Sequence, residues 1–206
     1  MSDIKKRFET LSHKAAQCRV CPRMAEERAV LGPANGPLNV QVLFVAEAPG
    51  RFGAGKTGIP FKGDRSGENF EKLLAHIGLT RNDVFITNAV LCNPLKDGNN
   101  CRPTAKEIKN CSGYLRSTLE MVRPNVVVTL GAVGLQAINL LTGSNYSLKE
   151  AAARPQELED FILLPLYHPS PRVANWKRPM SQQKRDFKKI LTFLKSRKQS
   201  GHQKDD

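Results

Sequence analysis

Two groups of residues have the types and spacing that chemistry needs. Cys18-Arg19-Val20-Cys21-Pro22 is a C-x-x-C pair, and Cys92, Cys101 and Cys111 follow far downstream. A pair spaced this way more often supplies two thiolates to one metal centre than a disulfide. Cys92 and Cys111 would supply the other two ligands, leaving Cys101 spare. Four thiolates suit tetrahedral zinc and an iron–sulfur cluster alike. The alternative is scattered buried cysteines, since Cys111 also fits an apolar helix face. The second group is residues 46–61. Gly50-Arg51-Phe52-Gly53-Ala54-Gly55-Lys56-Thr57 matches the phosphate-loop pattern G-x-x-x-x-G-K-[ST]. The same stretch also reads as Glu47-Ala48-Pro49-Gly50 followed by Gly58-Ile59-Pro60-Phe61, an acid, turn formers and an aromatic between glycines.

The nucleotide reading fails on its context. A phosphate loop opens directly into a helix whose N-terminus adds partial positive charge. Here Gly58, Pro60 and Gly63 follow Lys56-Thr57 and oppose a helix, so the helical pattern is expected to resume only near Ser66. No acid closes a later apolar strand to act as a magnesium partner.

These residues need elements to position them. Apolar runs at Val42–Val45, Val84–Val90, Val126–Leu130 and Phe161–Leu166 read as buried strands. Helical patterns lie between them at Ser66–Ile77, Thr104–Val122 and Ala132–Leu141, with Ser181–Lys198 closing the chain. Thr104-Ala105-Lys106-Glu107 is a capping box for the second of these. An N-terminal helix through Ile4, Phe8, Leu11 and Ala15 precedes them. The alternation predicts an α/β fold, a three-layer α/β/α sandwich around a central, mostly parallel four-stranded sheet. Ligands in such sheets bind beyond the carboxyl ends of the strands. Glu47, Asn88 and His168 fall there. Residues 1–198 are expected to form a single domain and 199–206 a flexible tail.

The 206 residues carry 32 Lys and Arg against 19 Asp and Glu, a net charge of +13. Such an excess favours polyanionic partners, the bland reading being a solvated basic surface. No stretch reaches membrane-spanning length. The charged N-terminus lacks a secretion signal, so a cytoplasmic location is expected.

Together these residues resemble the iron–sulfur class of the uracil-DNA glycosylase superfamily, the family 4 type with family 5-like features. The similarity covers roughly Cys18 to Arg172 and rests on Cys18-x-x-Cys21-Pro22, Glu47-Ala48-Pro49-Gly50, Gly58-Ile59-Pro60-Phe61, Thr87-Asn88-Ala89-Val90-Leu91-Cys92 and His168-Pro169-Ser170. The resemblance implies a monofunctional glycosylase, a monomer, that flips uracil out of single- or double-stranded DNA and hydrolyses its N-glycosidic bond to leave an abasic site. The alternatives are a damaged-DNA binding protein of weak turnover, or a glycosylase that also accepts hypoxanthine, xanthine or mispaired thymine. It implies a [4Fe–4S] cluster on Cys18, Cys21, Cys92 and Cys111, with Cys101 in place of Cys111 as the other option. Phe61 would stack on the base, Asn88 would read O4 and N3–H, and His168 would donate to O2. Glu47 with the Ala48–Gly50 amides would line the sugar side. Ser170 belongs to a loop entering the duplex, with Arg172 as its wedge and Trp176, Lys177 and Arg178 on phosphates. The sequence departs from the family at three places. Ala48 stands where the best-known members carry aspartate, which shifts water activation to Glu47, Asn99 or Asn100. Gly50 replaces the aromatic that excludes thymine's methyl. The usual acidic cluster is absent from Arg51–Gly55.

Overall fold

A computed structural model describes residues 3–200, with side chains through Leu194. Its elements are α1 (Asp3–Ala16), β1 (Val42–Ala46), α2 (Ala54–Thr57), α3 (Arg65–His76), β2 (Val84–Asn88), β3 (Leu95–Lys96), β4 (Asn99–Asn100) and α4 (Ala105–Val122). They continue with β5 (Val126–Leu130), α5 (Ala132–Thr142), α6 (Leu148–Ala151), β6 (Gln156–Glu157), β7 (Ile162–Leu166), α7 (Pro171–Trp176) and α8 (Met180–Ser200).

The main sheet has five strands in the order β2-β1-β5-β7-β6, one more than the sequence suggests. The four expected strands pair in parallel. The addition is β6, two residues antiparallel to β7 and too short to leave an apolar signature. Along β1 the side chains alternate. Leu43 and Val45 face a core completed by Phe8, Ile108, Leu115, Leu135 and Ile138. Val42 and Phe44 face a second core with Phe70, Leu73, Leu74, Phe187 and Ile190. Helices cover both faces, which is why the strands read as unbroken apolar runs.

Three local differences bear on the site. β2 ends at Asn88 and not Val90, the chain turning there under hydrogen bonds from Ala89 N–H to Ala46 O (2.9 Å) and Val90 N–H to Glu47 O (3.2 Å). One helical turn, α2, does form at Ala54–Thr57, and left-handed Gly58 (φ 73°) ends it at once. A hairpin, β3–β4, turns through Asp97 (φ 50°) and Gly98 (φ 71°), the positive-φ pair of a type I′ turn. α8 continues to Ser200, past the expected Lys198, and residues 201–206 of the expected tail lie outside the described residues. Among the described residues no helix is long and apolar enough to cross a membrane.

Candidate active site

β1 is the switch point of the sheet, because β2 adds on one side of it and β5 with β7 on the other. The register sets Ala46 beside Asn88, and Leu130 beside Leu166. Glu47, Asn88, Gly131 and His168 therefore emerge at one edge. They line a cavity of about 470 Å³ together with Ala48, Gly50, Phe61, Asp64, Asn93, Asn100, Cys101, Tyr167, Ser170 and Lys177.

The Phe61 ring lies flat on Phe70, centroids 4.5 Å apart and planes 16° from parallel, and 5.5 Å from the His168 ring. Phe70 is in turn set edge-on against Phe44 in the core. Phe61 thus has more core beneath it than its Gly/Pro-rich loop suggests, while its other side borders the cavity. Its backbone is left-handed, at φ 51°, a conformation phenylalanine adopts only under constraint. Arg81 donates to its carbonyl at 2.9 Å, and the carbonyl rests against Gly67, where a Cβ would approach to 2.3 Å.

Asn88 is 5% exposed, and its side-chain amide has no protein partner among the described residues. His168 is oriented from behind. The Ser170 backbone N–H donates to His168 Nδ1 at 3.1 Å, so the neutral ring carries its proton on Nε2. Burial pushes the ring down to about 4, against a smaller opposing pull from Asp64, and keeps it neutral. The loop is held by Asn69, which donates to Pro169 O at 2.8 Å. Burial raises the Glu47 carboxyl, partly offset by Arg102.

The Ala48–Gly50 turn is braced from the hairpin. Arg51 N–H donates to Asn100 Oδ1 at 3.0 Å, and Asn93 Nδ2 donates to the same oxygen at 3.1 Å. Asn99 instead is exposed and bonds to Asp97 O. Asp64, Asn93 and Cys101 are cavity residues that the sequence reading missed. Asp64 had a legible signal, a capping residue just before the apolar period of α3. Asn93 and Cys101 had none.

Ser170 caps α7, accepting from Val173 N–H at 3.4 Å, so the expected loop is a short helix. Arg172 and Lys177 are exposed, and Trp176 is 84% exposed. Arg178 is not free in this way. Its guanidinium forms two 2.7 Å bonds to Asp186.

Behind the hairpin, the cysteines divide. Cys18, Cys21, Cys92 and Cys111 lie within one another's electrostatic reach; burial first and then the neighbouring thiols push Cys92 up to about 11 and Cys111 to about 12. Leu91 N–H donates to Cys111 Sγ at 3.4 Å and Asn110 to Cys21 Sγ at 3.5 Å. Cys101 lines the cavity and meets the Arg23 guanidinium. Among the described residues no group of three or more His, Cys, Asp or Glu closes onto a single ion. Arg23 fastens the Cys21 segment to α4 through two 2.6 Å bonds to Glu107, holding that carboxyl near 2.

With this geometry established, similarity to known proteins is informative. The sequence model of the Uracil DNA glycosylase superfamily matches residues 33–195. The chain belongs to this superfamily. It is 36% identical to the Type-4 uracil-DNA glycosylase of Archaeoglobus fulgidus, over 89% of this chain and 91% of that protein. It is 32% identical to the Type-4 enzyme of Thermotoga maritima, covering 91% and 95%, and 33% identical to the Type-5 enzyme of Pyrobaculum aerophilum, covering 82% and 84%. The superfamily membership and three-layer fold expected from the motifs are thus both found.

Proposed function

We propose that this chain is a DNA repair glycosylase, a hydrolase that breaks the bond between uracil and its deoxyribose and leaves an abasic site. The observation that carries this is the Asn88 amide, which makes no hydrogen bond to the described residues and opens on the wall of the cavity. An amide left free there can meet a base edge. A uracil edge fits it, since Asn88 donates to O4 and accepts from N3–H, whereas cytosine presents the reverse pattern. The extruded base stacks on the free side of Phe61. As the glycosidic bond breaks, its electrons pass to the base, and the His168 Nε2–H stabilises the charge on O2. Water adds to the sugar from the side lined by Glu47 and the Ala48–Gly50 turn.

A [4Fe–4S] cluster on Cys18, Cys21, Cys92 and Cys111 belongs to the same reading. What supports it is the mutual proximity of the thiols, Cys92 and Cys111 each lying within the electrostatic reach of Cys18 and Cys21. Such a group supplies a cross-link between the end of α1, the segment after β2 and α4. The protein acts as a monomer. Among the described residues, the exposed large apolar side chains Ile4, Val20, Phe52, Leu140 and Trp176 lie on separate segments, in keeping with this reading.

The test incubates purified protein with uracil-containing single- and double-stranded oligonucleotides and then treats them with alkali. Strand cleavage at the uracil is expected. Stable retention of the DNA without cleavage would favour the second reading, a damaged-DNA binder, which Ala48 in the water-side turn motivates.

A further inference from the structure

No acid stands in the Arg51–Gly55 stretch that follows the Glu47 turn. The structure nevertheless brings a carboxylate into that space from another element. Asp64 caps α3, its Oδ1 accepting from Gly67 N–H at 2.9 Å. Its Oδ2 has no hydrogen-bond partner among the described residues and lies over the turn. A Cβ built on Gly53 would come within 2.5 Å of that oxygen, and one on Gly50 within 3.3 Å. Two positions without side chains thus leave room for this oxygen at the cavity wall. Asp64 lines the same cavity as Glu47, and its charge is felt at the His168 ring.

We propose that Asp64 is a second site carboxylate, with one oxygen fixing α3 and the other facing the sugar, where it stabilises the positive charge that develops at the anomeric carbon. The assignment rests on the uracil-excision reading of this cavity. A negative charge fixed beside a developing cation, in a site partly shielded from water, acts only as the bond breaks and so lowers the barrier. Helix capping alone needs one oxygen and no charge, because asparagine caps as well as aspartate.

Two variants separate these roles. Asp64→Asn keeps the cap and removes the charge. Gly53→Ala keeps the charge but drives the carboxylate from its place; the backbone there (φ −98°, ψ −118°) must also shift to take a Cβ, so the variant's thermal midpoint is measured alongside. The readout independent of turnover is binding to two duplexes, one carrying a cationic pyrrolidine abasic analogue and one the neutral tetrahydrofuran analogue. Wild-type protein is expected to prefer the cation by about tenfold, and both variants to lose that preference. Single-turnover uracil excision should fall on the order of 10²-fold in each. Asp64→Asn protein that keeps both the preference and the wild-type rate would reduce Asp64 to a helix cap. A wild type with no preference for the cation overturns the proposal at any rate of excision. If the preference exists and depends on Asp64 while uracil is never released, the carboxylate assignment stands and the uracil reading falls.

Discussion

His168 condenses the chemistry of the site into one side chain. Its usefulness depends on a proton at Nε2 and none at Nδ1, and both conditions come from the protein: the Ser170 amide occupies Nδ1, and burial disfavours the cation. His168→Ala should slow single-turnover excision by about 10²–10³-fold, as loss of an oxyanion donor does. Binding to undamaged DNA should be unchanged, because that affinity comes from phosphates. The folded ring takes a proton only near pH 4, well below the ordinary 6.5. Between those values the unfolded chain binds a proton that the native ring refuses, so native stability falls as pH drops from about 6.5 to about 4. Thermal midpoints at pH 7 and pH 5 should therefore drop further for wild type than for His168→Ala. Equal drops would mean the ring is not shielded as described.

At the scale of elements, the capping box on α4 links helix formation to the cysteine site. Glu107 accepts from Thr104 N–H at 2.7 Å and also binds Arg23, two residues after Cys21. Cys111 lies one turn further along the same helix face. Glu107→Gln should destabilise the protein by about 2–3 kcal/mol, from the depression of its carboxyl to about 2. That contribution is present above about pH 4.5 and is lost as pH falls toward 2. Iron content of purified protein should fall in Glu107→Gln, vanish in Cys92→Ser and persist in Cys101→Ser. Iron retained in Cys111→Ser but lost in Cys101→Ser would move the fourth ligand to Cys101. This box was legible because Thr104 and Glu107 signal through local sequence alone. The four long strands were legible for a similar reason, since runs such as Val126–Leu130 are buried on both faces. β6 was not, because two residues carry no period, and neither was the place of Cys101 at the cavity wall, which depends on how a hairpin turns. The Arg178–Asp186 pair was hidden because Arg178 reads as one more member of a basic run.

Across the whole molecule, a +13 charge invites the inference that every basic residue beyond the site meets DNA. The structure divides the cations at the C-terminal end of the cavity into two kinds. Lys177 borders the cavity and is exposed, as is Arg172 on α7. Arg178 joins the end of α7 to α8 instead, its guanidinium against Asp186, whose side chain is 8% exposed. Its backbone carbonyl accepts from Gln183 at 2.8 Å. Arg172→Ala and Lys177→Ala should each weaken binding to any DNA sequence and lower the slope of log K against log salt by about 1. Their single-turnover excision rates at saturating protein should stay near wild type for Lys177→Ala, and fall for Arg172→Ala only if it also wedges the duplex. Arg178→Ala should act on folding. Leaving Asp186 buried without its cation costs about 3–5 kcal/mol, so the variant should unfold at lower temperature, and where it remains folded its salt slope should match wild type. Asp186→Asn gives the reciprocal check, since it frees the guanidinium without removing it. Lower stability with an unchanged or steeper salt slope is the expected result. A shallower slope in Arg178→Ala, with an unchanged unfolding temperature, would return Arg178 to the phosphate contacts and leave the α7–α8 junction held by packing alone.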